Sequence, residues 1–289
     1  MTRNGFAAAL LLGAALALGG AADRQRIVGG ATAGDAAVVQ MVVDGALRCS
    51  GSLIGPSTVL TAAHCAVPVG QESSVTVQVE PAGDAGRVGL EIEAQYANPQ
   101  WTYGKRGHDQ LLLRLKRPVP EVEPLSLYSG TFTREDVGRD LRVLGFGSTQ
   151  GSPALGAGVR RDVVLVIRQV LPLELEAGAA GRHACAGDSG GPALLRAEAD
   201  GREYLAATVS QGDRQCVGSG FFSRVDVDAP WIVSTASAWD SVAVGPATSD
   251  GGSPGSCAGA GPGELLGALL GLRSRRGRRL APRSEVELR

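Results

Sequence analysis

The sequence predicts an all-β protein with an antiparallel barrel or sandwich architecture. Short apolar or alternating runs, such as Val75–Val79, recur along the chain and are separated by Gly, Pro, Asp and Ser. The composition includes 42 Gly and 15 Pro residues, which favours many turns. No helical period lies between successive strands, which favours antiparallel pairing. With 289 residues, 44% of them hydrophobic, the chain can form one large β domain or two small ones.

The predicted strands extend over most of the chain. Apolar runs within Val38–Leu60 and Val75–Ile92 predict the first group. The later strands are predicted at Leu111–Leu115, Leu141–Leu144, Val163–Ile167, Ala193–Leu195, Tyr204–Ser210 and Phe221–Val225. Only Ala229–Trp239, with Pro230 near its start and apolar residues at helical spacing, predicts a helix in the folded part. We expect this helix to close the domain.

Residues 1–22 are typical of a secretory signal peptide. Arg3 lies in a short N-terminal region, an apolar core runs from Phe6 to Leu18, and small residues follow. The alternative is a buried N-terminal helix. Export places the chain in an oxidising compartment, where two disulfides are expected. Their candidate cysteines are Cys49, Cys65, Cys185 and Cys216, for which three pairings are open, while Cys257 is left over.

The segment after the signal peptide contains a second processing signal. Arg26 precedes the apolar, Gly-rich sequence Ile27-Val28-Gly29-Gly30. A basic residue in this position is typical of a cleavage site, which would make residues 23–26 a short activation propeptide. The alternative is a turn that leads into the first strand.

The charge distribution argues against nucleic-acid binding. The formal net charge is −1, so the protein has no overall basic field. The strongly basic stretch, Arg273 to Arg283, lies in the tail and not in the predicted folded part.

One stretch predicts a nucleophile site. Gly187-Asp188-Ser189-Gly190-Gly191-Pro192 places a hydroxyl among three glycines and beside a carboxylate. Glycines allow backbone conformations closed to other residues, so main-chain N–H groups can point at a developing oxyanion. The N–H groups of Gly187 and Ser189 are the natural donors. Taken alone, the pattern is also typical of a turn.

Two further polar residues complete a constellation. His64 follows an apolar strand and precedes a candidate disulfide cysteine, and Asp109 lies directly ahead of a very apolar strand. Each also has an ordinary interpretation: His64 can be a structural histidine, and Asp109 can be a cap or turn residue. Together with Ser189, however, they supply a nucleophile, a base and a group that orients the base.

These motifs make the chain resemble the trypsin-like (chymotrypsin-fold) serine endopeptidases over about Ile27 to Ala238. The resemblance implies two packed, six-stranded antiparallel β-barrels with the active site between them, within a protease domain of residues 27–240. The motifs that carry it are Ile27-Val28-Gly29-Gly30, Thr61-Ala62-Ala63-His64-Cys65, Asp109 before a leucine run, Gly145-Phe146-Gly147, Gly187 to Pro192 and Ser210-Gln211-Gly212.

The resemblance also implies roles for individual residues. Ser189 attacks the peptide carbonyl, His64 takes its proton, and Asp109 orients His64, while the N–H groups of Gly187 and Ser189 bind the oxyanion. Cleavage after Arg26 frees the Ile27 ammonium to pair with Asp188. The implied disulfides are Cys49 with Cys65 and Cys185 with Cys216.

The implied partners follow from this activity. They are protein or peptide substrates, an activating protease and protein inhibitors. We expect the enzyme to be a monomer that needs no cofactor. Metal-dependent hydrolysis fits worse, because the three histidines show no ligand-spaced motif. A non-catalytic binding or regulatory module of the same fold is the alternative function.

The predicted specificity pocket departs from the family pattern. The residue that matches the family's pocket base is His183, where trypsins have Asp. A neutral imidazole suits polar or aromatic side chains, whereas a protonated one attracts a carboxylate. The alternative is that His183 turns away from the pocket. Ser210, Gly212 and Gly220 match residues that line the site.

The composition changes after Asp240. Residues 241–262 are typical of a flexible linker, and residues 263–289 combine a short apolar patch, Leu265 to Leu272, with an Arg cluster. Together with Cys257 this resembles the C-terminal sorting signals of myxobacterial surface proteins, which implies a bacterial extracellular protein with a membrane or cell-surface tether. Because the patch is shorter than the ~20 residues of a spanning helix, a disordered basic tail with a free thiol is the alternative.

Overall fold

The computed structural model describes residues 31–32, 35–81, 86–151, 155–179, 181–213 and 215–245. The predicted signal peptide, the propeptide with Arg26, Ile27 itself, the linker beyond residue 245, and the tail with Cys257 lie outside these residues. The chain divides into two units, Met1–Asp250 and Gly251–Arg289, and the second lies wholly outside the described part. Within that part, no helix is long and apolar enough to cross a membrane.

The described residues form thirteen strands and one α-helix. The strands are β1 (Ala31–Thr32), β2 (Val38–Val43), β3 (Ala46–Gly55), β4 (Thr58–Thr61), β5 (Val75–Val79), β6 (Val88–Ala97), β7 (Leu111–Leu115), β8 (Asp140–Gly145), β9 (Arg161–Val170), β10 (Glu174–Gly178), β11 (Pro192–Arg196), β12 (Glu203–Gln211) and β13 (Gly220–Arg224). The helix is α1 (Val225–Ala236), and short 3-10 segments lie at Ala63–Cys65, Glu72–Ser74 and Arg134–Asp136.

The first six-stranded barrel is closed in the order β2-β3-β4-β7-β6-β5, with antiparallel pairing throughout. β5 illustrates why these sequences form strands. Val75, Val77 and Val79 are buried, whereas Thr76 and Gln78 are half-buried, because successive strand side chains point to opposite faces. The inward valines pack against Leu113 and other apolar residues to fill the barrel.

The second barrel contains β8 to β13 in the order β9-β10-β13-β12-β11-β8, and pairing of β8 with β9 closes it. β1 adds to the other edge of β9. The two six-stranded antiparallel barrels that the resemblance implied are therefore confirmed. A separate apolar cluster joins them, with Leu60 and Leu112 from the first barrel against Leu144 and Leu194 from the second.

The strand predictions were accurate where the pattern was strongly apolar, and β7 has the predicted bounds. β10 was not predicted, because its sequence Glu-Leu-Glu-Ala-Gly carries two acidic residues. It is nonetheless a central strand that pairs with both β9 and β13.

The helix begins four residues before its predicted start. The sequence predicts Pro230 in the first turn, but it lies inside α1. The helix begins at Val225, directly after β13, and Asp226 and Asp228 occupy its first turn. Carboxylates favour this end of a helix, because the unpaired N–H groups there carry partial positive charge.

Candidate active site

His64 lies in a 3-10 segment that follows β4. Ala62 and Ala63 are fully buried and anchor the backbone just before His64, while the His64 side chain remains about one third exposed at 32%. A disulfide between Cys65 and Cys49 ties this segment to β3. The imidazole is therefore held on a covalently braced turn and faces solvent.

Asp109 lies two residues before the start of β7 and is buried. Its Oδ2 is 2.7 Å from His64 Nδ1, and its Oδ1 accepts a 2.9 Å hydrogen bond from the His64 backbone N–H. Ser210 Oγ donates a 2.6 Å hydrogen bond to the same Oδ2. Burial by itself raises the pKa of Asp109, but the hydrogen bonds from His64 and Ser210 outweigh it and hold the pKa below its ordinary value. The carboxylate is thus kept ionised beside the imidazole.

This arrangement determines the direction of the imidazole. With Nδ1–H directed at Asp109, Nε2 of a neutral His64 is left as a proton acceptor. Ser189 borders a cavity together with Ser210 and Gln211, and the same two residues border the cavity beside His64. Ser189 and His64 are both described, and their side chains form no hydrogen bond in this structure. Such contacts commonly tighten only when substrate binds.

Backbone conformation and close packing explain why glycines flank Ser189. Gly187 has φ 93° and Gly190 has φ 77°, values in the left-handed region that favours glycine. A Cβ on Gly190 would lie 2.0 Å from Thr61 Oγ1 and 2.6 Å from the Ala62 nitrogen. The loop that carries Ser189 in the second barrel therefore packs directly against β4, the strand that leads to His64.

The two N–H groups predicted to bind an oxyanion are available. The Ala186 carbonyl accepts a 2.9 Å hydrogen bond from Ser148 N–H, and the Asp188 carbonyl accepts a 2.8 Å hydrogen bond from Gly191 N–H. Because C=O and N–H point in opposite directions in a trans peptide, these bonds direct the N–H groups of Gly187 and Ser189 the other way. Neither N–H donates to an acceptor among the described residues.

The Asp188 side chain points away from Ser189 into the protein and is fully buried. Its oxygens accept 2.8 Å hydrogen bonds from the backbone N–H groups of Gly147 and Cys185. A Cβ on Gly145 would lie 2.2 Å from Asp188 Oδ1, which explains the glycines in Gly145-Phe146-Gly147. Burial raises the pKa of Asp188 to about 7, against the opposing effect of these hydrogen bonds and of Arg161. Ile27, the predicted partner, lies outside the described residues.

A cavity of about 370 Å³ opens beside Ser189. Its walls include the predicted residues Ser210 and Gly212, and a disulfide between Cys185 and Cys216 joins two sides of it. Asp213 also borders this cavity, with its carboxylate oxygens accepting hydrogen bonds from the backbone of Gln215 and Val217. Sequence reasoning missed Asp213, although its position directly after Gly212 was a usable signal.

His183 does not border the cavity of Ser189. It lines a separate cavity of about 210 Å³ with Arg168 and Val217 to Ser219. Burial lowers the pKa of His183, and its Nδ1 has no hydrogen-bond partner among the described residues. Gly220, at the start of β13, faces the Phe222 ring, which would lie 3.3 Å from an added Cβ. Neither of these two predicted substrate-binding residues is among those that border the cavity beside Ser189.

A second part of the cleft was not singled out from the sequence. A cavity of about 310 Å³ beside His64 is lined by the aromatic rings of Trp101 and Tyr103 and by Lys105. The Tyr103 side chain is exposed, and its ring meets the Trp101 ring edge-on at 6.4 Å. Two aromatic residues in a polar segment just ahead of Asp109 were the available signal.

His108, also not singled out, holds the segment before Asp109. Its φ of 55° is unusual for a side chain with a Cβ, and its Nδ1 lies 2.6 Å from Asp228 Oδ1 in α1. The residue next to Asp109 is thereby attached to the helix of the second barrel.

The described residues contain one group with metal-ligand types in proximity, Cys49, His64 and Cys65. The two cysteines are joined in a disulfide, so their sulfurs are not thiolates and cannot act as metal ligands. This cluster therefore does not form a metal site.

Comparison with known proteins agrees with this geometry. The family model for Trypsin matches residues 27–232. The snake venom serine protease ussurin of Gloydius ussuriensis is 29% identical over 208 residues, covering 64% of this chain and 84% of that protein. The suppressor of tumorigenicity 14 protein homolog of Bos taurus is 31% identical over 211 residues, covering 64% of this chain and 24% of the relative, or about a quarter of its length. The chain therefore belongs to the trypsin family and is a serine-type endopeptidase.

Proposed function

We propose that the protein hydrolyses peptide bonds through Ser189, His64 and Asp109. Ser189 Oγ attacks the substrate carbonyl while His64 Nε2 takes the hydroxyl proton, and the same nitrogen returns it to the leaving amine. Water then enters, gives its proton to His64 and hydrolyses the acyl-enzyme. The observation that carries this proposal is the 2.7 Å contact between His64 Nδ1 and the buried, ionised Asp109, which leaves Nε2 as the nitrogen that can accept a proton.

The N–H groups of Gly187 and Ser189 stabilise the tetrahedral oxyanion in this mechanism. Their support is that neither N–H has an acceptor in the described part of the chain, while the carbonyls of their peptide units are bound elsewhere. Donors that need no reorganisation are effective, and the loss of one costs about 3 kcal/mol in such sites.

The test is covalent labelling of the processed protein with a fluorophosphonate, which reacts with an activated serine. We expect labelling of the wild-type enzyme and none of Ser189→Ala or His64→Ala. Correctly processed, folded wild-type protein that stays unlabelled would instead favour the alternative, a non-catalytic binding module.

Activation by cleavage after Arg26 belongs to the same proposal. A fully buried carboxylate is costly, and the pKa of Asp188 is raised even though the positive charge of Arg161 opposes the shift. The Ile27 ammonium released by cleavage supplies a further cation and stabilises the Gly187 loop. The cleavage after Arg26 need not be autocatalytic. A separate protease that prefers Arg can perform it, so this enzyme does not itself have to cleave after Arg.

The primary specificity pocket is the cavity beside Ser189. Asp213 contributes negative charge to its wall, and burial of His183 keeps that imidazole neutral at pH 7. Polar, aromatic or basic substrate side chains therefore fit better than acidic ones. Cleavage of a peptide library measures this preference.

The site of action is extracellular. The signal pattern of residues 1–22, the two disulfides and the venom origin in the name of one relative support this proposal. Mass spectrometry of the mature protein tests it, since export removes residues 1–22. The mature N-terminus also shows whether the activation cleavage after Arg26 has occurred. The mature C-terminus shows whether the tail is retained, which tests the proposed tether on a bacterial cell surface and the domain limits.

The proposed partners are protein substrates, an activating protease and protein inhibitors that occupy the cleft. The cavity beside His64 offers such a partner an exposed aromatic surface, formed by Trp101 and Tyr103 next to Lys105. We expect the enzyme to act as a monomer, which sedimentation measures.

A further inference from the structure

Ser50 occupies the junction between the two barrels. It lies on β3, directly after the disulfide-bonded Cys49, and is fully buried. Its backbone N–H donates a 2.8 Å hydrogen bond to the Ser189 carbonyl, and its own carbonyl accepts a 2.7 Å hydrogen bond from Thr61 Oγ1. The main chain of Ser50 thus connects the nucleophile to the strand that leads to His64.

The Ser50 side chain makes a second set of contacts with the nucleophile loop. Its Oγ donates a 2.8 Å hydrogen bond to the Gly187 carbonyl and accepts a 2.9 Å hydrogen bond from the Phe146 N–H. The hydroxyl has one proton to give, and it gives that proton to Gly187. Ser50 Oγ therefore binds the residue whose N–H is the proposed oxyanion donor.

Two hydrogen bonds, one of them from Ser50, hold the peptide unit between Gly187 and Asp188 at both ends. The Gly187 carbonyl is bound by Ser50, while the N–H of the same peptide unit, that of Asp188, donates a 3.0 Å hydrogen bond to Cys185. Gly187 has φ 93° and no Cβ, so local sterics alone leave its backbone free to rotate. Without the hydroxyl, the Gly187 carbonyl loses this partner and the buried Phe146 N–H is left unsatisfied.

We propose that Ser50 is a positioning residue, whose hydroxyl holds the Gly187 backbone in the orientation that directs its N–H at the oxyanion. The inference rests on the proposed catalytic function. Ser50 does not touch substrate, and it acts through Gly187 across a separation of 137 residues. Its effect is therefore expected in the transition state, where the oxyanion exists, and not in the binding of the ground-state substrate.

The experiment compares Ser50→Ala with Ser52→Ala in the full chain after activation. Ser52 is a matched control, because it lies on the same strand, is equally buried, and its Oγ has no partner among the described residues. For each protein we measure kcat and KM on a peptide amide. We also measure the affinity for a peptide aldehyde, whose adduct with the serine carries an oxyanion, relative to the matching peptide alcohol.

For Ser50→Ala we expect kcat to fall about 10-fold, less than the roughly 10²-fold or greater loss that follows complete removal of an oxyanion donor. KM should stay within about twofold, and the aldehyde should lose its advantage over the alcohol by the same factor as kcat. Ser52→Ala should match the wild-type enzyme in all three measurements. Circular dichroism and thermal unfolding verify that each protein is folded.

A folded Ser50→Ala enzyme with wild-type kcat and wild-type aldehyde preference would overturn the inference, even if its unfolding temperature were lower. An equal loss in Ser52→Ala would also overturn it, because the Gly187 contact would then not be the cause. A wild-type enzyme that fails to react with a fluorophosphonate refutes the proposed function and this inference together.

Discussion

Ser210 Oγ lies 2.6 Å from Asp109 Oδ2 and donates a hydrogen bond to it across the interface of the two barrels. Asp109 precedes β7 of the first barrel, whereas Ser210 belongs to β12 of the second. The pair of groups that orients His64 is therefore completed only when the barrels are packed together. This relationship leads to the first prediction.

Ser210→Ala should lower both stability and activity. Loss of a hydrogen bond to a charged group costs about 1.5–3 kcal/mol, and Asp109 is too buried for water to replace the bond fully. We expect the pKa of Asp109 to rise and kcat to fall about 10-fold, since a less stable carboxylate supports the imidazolium less well. Urea unfolding and steady-state kinetics measure the two effects.

Thr208→Val is the matched control for Ser210→Ala. Thr208 lies two residues earlier on β12, is fully buried, and its Oγ1 has no partner among the described residues. The replacement keeps the shape of the side chain and should be nearly neutral. A comparable loss in both variants would mean that strand packing, and not the Asp109 contact, is responsible.

Asp109→Asn should lower kcat by about 10⁴ at pH 7, because an amide at this position no longer stabilises the Nδ1–H tautomer and the imidazolium. The lowered pKa of Asp109 means that the wild-type carboxylate stays charged well into acid, so protonation of Asp109 should not limit activity near neutral pH. The pH dependence of kcat/KM measures both. Wild-type kcat in folded Asp109→Asn would contradict the proposed mechanism.

Asp188 predicts a pH dependence of the uncleaved chain. Burial raises its pKa to about 7 in the folded protein, from 3.8 as an ordinary carboxyl. The folded state therefore binds a proton that the unfolded state has released, so this group's contribution to stability falls as the pH rises from about 4 to 7. We expect urea unfolding of Arg26→Gln protein to show this decline.

Asp188→Asn in the same uncleaved background should remove this part of the pH dependence, because the amide does not titrate. After cleavage of the otherwise wild-type chain, the Ile27 ammonium should reduce the decline as well. An unchanged pH profile in both cases would contradict the proposed pairing of Ile27 with Asp188. Full activity of uncleaved Arg26→Gln would contradict activation by that pairing.

Substrate profiling should show discrimination against Asp and Glu immediately before the scissile bond. Asp213→Asn removes the negative charge from the wall of the Ser189 cavity and should weaken this discrimination about tenfold if the charges approach within a few ångströms. Glu198→Gln, an equal charge change in a different cavity, is the control. Preferential cleavage after Asp or Glu by the wild-type enzyme would refute the assignment of this pocket.

Much of the fold and of the proposed triad was accessible from local sequence. Leu111–Leu115 is apolar throughout, so its strand bounds could be predicted, and the Gly-rich stretch around Ser189 indicated a nucleophile loop. β10 was not accessible, because Glu174 is acidic yet buried, and its partner across the sheet is Ser223 of β13, far along the chain. Pro230 misled the helix prediction for a related reason: α1 begins where β13 ends, a boundary set by strand pairing.

The sequence by itself determined the family resemblance, most of the strand pattern and the choice of His64, Asp109 and Ser189 as the proposed triad, since these depend on residue type and order along the chain. Only the tertiary structure showed that Ser50 contacts Gly187, that Asp213 borders the Ser189 cavity and that His183 borders a different cavity. The physical reason is that these relationships depend on how two closed barrels pack and on the exact directions of backbone groups. Neither leaves a periodic or local signal in the chain.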